Sequence, residues 1–123
     1  MLRKRLISTG AALLSLMFAG TAAAHFGMVI PSDTMVMQED ARTVTVTLSF
    51  SHPMEMIGME LEKPKVVGVL ANGSRQDLLG QLKPAAIMDH GGWQLNYPIK
   101  RPGVYMFFME PQPYWEPAED CFI

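Results

Sequence analysis

Three histidines carry most of the chemistry available to this chain: His25, His52 and His90. His25 directly follows Thr21-Ala22-Ala23-Ala24, a run of small residues that a signal peptidase reads. Cleavage after Ala24 makes His25 the first residue of the mature protein. A terminal histidine offers an α-amine and an imidazole together, and the two close a chelate ring on one metal ion. The α-amine titrates near pH ~8, so it yields its proton readily to a metal. Imidazole suits Ni, Co, Cu and Zn. Phe26-Gly27-Met28 follows, so no histidine occupies the third mature position and the square-planar terminal motif is absent.

His52 opens the second cluster, Ser51-His-Pro-Met-Glu-Met-Ile-Gly-Met-Glu60. Beside the imidazole stand Met54, Met56 and Met59 with soft thioethers, and Glu55 and Glu60 with carboxylates. Thioethers favour Cu(I), whereas imidazole with carboxylate favours divalent ions. Methionine more often fills gaps in a core, and that is the expected role of these three. His90 lies in Met88-Asp-His-Gly-Gly92, read as a flexible loop in which Asp89 orients the ring. No Cys-x-x-Cys, His-x-x-x-His or His-Glu-x-x-His spacing accompanies them. Spacing alone does not show that the three histidines converge.

Catalytic motifs are missing. There is no nucleophile elbow, phosphate loop or dinucleotide fingerprint. Cys121, the one cysteine, has no histidine near it in sequence. These observations point to a binding protein and not to an enzyme.

The elements that must position the histidines read as strands. Thr43 to Phe50 alternates, with Val44, Val46, Leu48 and Phe50 on one face and Thr43, Thr45, Thr47 and Ser49 on the other. Residues 51–60 then form a loop at one end of the fold, where such scaffolds carry function. Lys65 to Leu70 and Arg75 to Leu79 form a hairpin around Asn72-Gly73. Trp93 to Tyr97 alternates again. Val104 to Met109 is continuously apolar, as in a central strand covered on both faces. Nine prolines and the lack of helical periodicity exclude a helical protein. The expected fold is all-β, an immunoglobulin-like antiparallel β-sandwich.

Two features sit near the C-terminus. Tyr114 and Trp115 lie among Pro111, Pro113 and Pro117, in a stiff loop expected to cap the end of the core. After a loop at 116–120, Cys121-Phe-Ile123 reads as the start of a strand. Either this is a short closing strand, or residues 25–123 are the N-terminal part of a longer domain whose C-terminal part is missing.

Residues 1–24 have the form of a cleaved secretory signal. Arg3, Lys4 and Arg5 precede an apolar stretch from Leu6 to Gly20 that is too short and too diluted by small residues for a spanning helix. The protein is therefore expected in the periplasm. Without the three leader cations, seven basic residues stand against twelve acidic ones, a net charge of −5. This mild acidity argues against a nucleic-acid partner.

Several segments together resemble a known family. They are His25-Phe-Gly-Met-Val-Ile-Pro-Ser32, Ser49-Phe-Ser-His-Pro-Met54, Lys100-Arg-Pro-Gly-Val-Tyr105 and Pro113-Tyr-Trp-Glu-Pro-Ala-Glu-Asp120, with Gly58-Met59, Lys63-Pro64 and Met109-Glu-Pro111 between them. They are similar to exported NikK/NikM-like proteins, periplasmic components of nickel or cobalt uptake systems formerly designated a domain of unknown function. The resemblance implies a β-sandwich that works beside the membrane components of an energy-coupling-factor type transporter, with Ni or Co divalent ion as its metal. It also implies chains about twice this length. His25, His52 and His90 match the family's pattern. Two other functions compete: a periplasmic copper-binding protein with an N-terminal histidine chelate, and a metal-free β-sandwich interaction module.

Overall fold

Strand β2, Thr43–His52, is the centre of the fold. Val44, Val46 and Leu48 alternate inward and are almost completely buried. They meet Val67 and Val69 from the opposite sheet, with Leu78, Leu82 and Leu95 closing the core. Each such side chain contributes about 1.5–3 kcal/mol by leaving water. The computed structural model describes residues 26–116 and 120–122.

The strands in chain order are β1 (Phe26–Pro31), β2, β3 (Ile57–Met59), β4 (Val66–Ala71), β5 (Ser74–Asp77), β6 (Lys83–Ile87), β7 (His90–Pro98), β8 (Tyr105–Glu110), β9 (Trp115–Glu116) and β10 (Cys121–Phe122). One sheet has the order β1-β2-β7-β6, with β3 also paired to β2. The second has the order β5-β4-β8, and β9 with β10 forms a separate two-stranded ribbon. All pairings are antiparallel. The only helical element among the described residues is one 3-10 turn, Leu79–Gln81. The protein is thus an all-β sandwich. Tyr97 of β7 ties the two sheets together, meeting Tyr105 and Phe107 of β8 edge-on at centroid distances of 5.8 and 5.4 Å.

Four expectations need correction. Half of the stretch 51–60 is strand, because β2 runs on to His52 and β3 pairs back along it, leaving residues 53–56 as a turn and Glu60 just after β3. His90-Gly91-Gly92 is the start of β7 and not a flexible loop; the turn is confined to Met88 and Asp89. Strand β8 is an edge strand and not a covered central one. Its Met106 is exposed, as is its cross-strand partner Leu70, because among the described residues no third layer covers the outer face of that sheet. Finally, Met54 and Met56 are not core fillers, being 94% and 69% exposed at the tip of the β2–β3 hairpin.

The Asn72-Gly73 turn forms as expected, with φ of 50° and 74° at its two central residues. Tyr114 caps the core as its setting among prolines implies, packing edge-on against Phe50 at 4.5 Å. Cys121-Phe122 is a short strand paired with β9. Residues 1–25, 117–119 and 123 lie outside the described residues, and with them the expected signal segment, His25 and most of the expected 116–120 loop.

Candidate metal site

The antiparallel order of the main sheet gathers three chain segments at one end. β1 starts there with Phe26, β2 finishes there with His52, and β7 starts there with His90. β2 pairs with β1 along one side and, along the other, first with β7 and then with β3. β3 is thereby inserted between the end of β2 and the β6–β7 turn. The fit is tight: a Cβ at Gly58 would lie 2.7 Å from the Met88 carbonyl oxygen. Glycine at this position lets the hairpin that follows His52 approach the hairpin that precedes His90.

Each described histidine faces its own carboxylate. His52 Nδ1 is 3.8 Å from Glu55 Oε2, across the turn that joins β2 to β3. That imidazole is largely buried, with 12% of its side chain exposed. His90 Nδ1 is 3.8 Å from Glu60 Oε1, and its side chain is 42% exposed. Glu60 Oε1 also accepts a hydrogen bond from the Gly91 N–H at 3.0 Å. A Cβ on residue 91 would run into this carboxylate, so Gly91 is what allows Glu60 to lie along the start of β7. In both pairs the carboxylate lies beside Nδ1 at 3.8 Å, beyond hydrogen-bond reach, so the contact between them is electrostatic.

Asp89 was expected to orient His90. Glu60 stands in that place instead, 30 residues away in sequence and brought there by β3. Leu61 N–H donates to the Gly91 carbonyl at 2.9 Å, and Trp93 Nε1 donates to the Leu61 carbonyl at 2.8 Å. The segment after β3 is thus fixed along β7. Among the described residues, no three His, Cys, Asp or Glu side chains come together as a ready metal cage. His52 and His90 stand as two separate imidazole–carboxylate pairs. His25 lies outside the described residues.

Fold and site together define a small antiparallel β-sandwich with imidazole–carboxylate pairs at one end of its larger sheet. The chain belongs to the family described as Domain of unknown function (DUF4198), whose family model matches residues 22–123. Searches of curated proteins and of solved structures return no match. No helix among the described residues is long and apolar enough to cross a membrane.

Proposed function

We propose that this protein is an exported, periplasmic accessory component of a nickel or cobalt uptake system, holding Ni²⁺ or Co²⁺ as cargo through His25, His52 and His90. The observation that carries this reading is the register of β1 on β2. It runs from Pro31↔Val46 to Phe26↔Ser51. β1 begins at Phe26, the residue that follows His25 in sequence, and β2 ends at His52 at the same end of the sheet. His90 begins β7 at the same end of the sheet. Cleavage after Ala24 would turn His25 into a bidentate amine–imidazole group one residue ahead of β1. Four nitrogen donors of this kind suit Ni²⁺, Co²⁺ or Cu²⁺ far better than Mg²⁺ or Ca²⁺, which take oxygen ligands. The role is binding and delivery to membrane components of an energy-coupling-factor type transporter. The finer NikK/NikM-like membership rests on the sequence motifs.

The test uses exported protein whose first residue is established by mass spectrometry. Calorimetric titration with Ni²⁺ and Co²⁺ should show one site. His52→Ala, or one alanine added ahead of His25, should each weaken binding by about tenfold or more. The extension keeps every side chain and breaks only the chelate. Equal Ni²⁺ affinity in the extended protein would overturn the terminal chelate. No binding of any transition metal would favour the interaction-module reading.

One observation favours copper as a second reading. The hairpin tip beyond His52 presents Met54 and Met56 to solvent, where their thioethers are available to Cu(I) instead of filling the core.

A further inference from the structure

A groove of about 500 Å³ opens beside the histidine-bearing end of the sandwich. Its aromatic wall is formed by Phe50, Tyr114 and Phe122. Glu60 and Glu62 also line it, and Pro113 belongs to the strap that carries Tyr114. Both segments are held in place. The Glu60–Glu62 segment is fixed to β7 through the two hydrogen bonds of Leu61. The strap is joined to that segment by Gln112 Nε2, which donates to the Lys63 carbonyl at 3.4 Å. Two prolines stiffen it on either side of Gln112. Phe50 is itself buried in the sandwich, so the ring that Tyr114 packs against is rigid.

The charge of the groove is one-sided. Two carboxylates line it, and no Lys or Arg does among the described residues. Lys63, the nearest cation in sequence, sits over the Trp93 ring at 5.8 Å instead. An apolar cleft with an aromatic lining and two carboxylates, of which Glu60 also faces His90 while Glu62 is exposed, is complementary to a cation that carries its charge on an apolar body. Ring faces attract such a cation through their quadrupole, and the carboxylates supply the Coulomb term. A free metal ion gains little from the rings, and an anion is repelled.

We infer that this groove is a binding site for a small alkylated ammonium cation, distinct from the histidine site. The inference does not depend on the metal reading. It assigns Tyr114 and Phe50 to the apolar body of the ligand and Glu62 to its charge. Glu60 is shared, since the same carboxylate faces His90.

The test is a pair of probes that differ only in charge: choline and its uncharged isostere 3,3-dimethylbutan-1-ol. Each is titrated into the purified chain in the presence of EDTA and followed by NMR at the Phe50 and Tyr114 rings. Choline should bind at least roughly fivefold more tightly than the isostere, as a partly desolvated cation–π site implies. Glu62→Gln, an exposed and isosteric change, should bring the two probes to within about twofold of each other. Tyr114→Leu should weaken choline, whereas Tyr114→Phe, which keeps a ring against Phe50, should retain it. His52→Ala should leave choline binding unchanged, because neither His52 nor its partner Glu55 lines the groove, which separates this site from the metal site. Equal binding of both probes, no binding of choline, or an unaltered preference in Glu62→Gln would overturn the inference.

Discussion

The carboxylate of Glu60 and the imidazole of His90 face each other at 3.8 Å, and the same Glu60 oxygen accepts the N–H of Gly91. One side chain therefore holds the backbone at the start of β7 by a hydrogen bond and sets a negative charge beside the His90 ring.

Glu60→Gln keeps an acceptor for the Gly91 N–H and removes the charge opposite His90. Ni²⁺ affinity should fall about tenfold, within the range found for outer-sphere carboxylates. Stability should change by less than about 0.5 kcal/mol, because Glu60 is mostly exposed. Gly91→Ala should lower both, since its Cβ occupies the space the carboxylate needs. Calorimetry and urea melts on the two variants separate these effects. A Gln variant that binds Ni²⁺ like the parent would remove Glu60 from the site.

The turn between β6 and β7 places two residues other than glycine in the left-handed region, Met88 at φ 51° and Asp89 at φ 63°. For a long side chain such as Met this costs about 1–2 kcal/mol. Replacing Met88-Asp89 by Asn-Gly, the pair this turn type favours, should raise unfolding stability by about 1 kcal/mol. A denaturant melt checks it. Loss of stability would mean that the half-buried Met88 side chain, which lies against Gly58, contributes more by packing than the turn costs.

What was legible in the sequence follows from what each residue can signal locally. The perfect alternation of residues 43–50 located β2 and its buried face, and Asn72-Gly73 located the β4–β5 turn. β1 and β6 escaped because Phe26-Gly-Met-Val-Ile-Pro31 and Lys83-Pro-Ala-Ala-Ile87 contain proline and do not alternate. Both are outer strands of their sheet, where a proline is tolerated. Gly91-Gly92 suggested a loop, yet glycine serves there to admit the Glu60 carboxylate beside the strand. The His90–Glu60 pairing left no trace in local spacing, since it depends on where β3 is laid down. Exposure of Met54 and Met56 was equally hidden, because residue type alone favours packing for methionine.

Leu48 tests the centre of the fold. It is fully buried at the middle of β2, where the two sheets meet. Leu48→Ala should cost about 2–5 kcal/mol through lost transfer energy and the cavity left behind. For a domain of this size that is a large share of the total stability. Circular dichroism should show a melt at much lower denaturant or no cooperative melt at all. A change below about 1 kcal/mol would contradict a core centred on β2.

The hairpin tip decides between a nickel or cobalt site and a soft copper site. Met54 and Met56 are exposed, so replacing both with leucine removes two thioethers with little loss of packing. The double variant should fold like the parent, with stability within about 0.5 kcal/mol. If nitrogen donors from His25, His52 and His90 form the site, Ni²⁺ and Co²⁺ affinities stay unchanged, because thioethers are poor ligands for these ions beside imidazole. If the tip instead holds Cu(I) with His52, competition titration against a Cu(I) chelator shows affinity falling by about tenfold or more, with Ni²⁺ binding weak in both proteins. Unchanged Ni²⁺ binding together with an unchanged, weak Cu(I) response is the outcome expected of the nickel or cobalt carrier. A selective collapse of tight Cu(I) binding would transfer the assignment to copper.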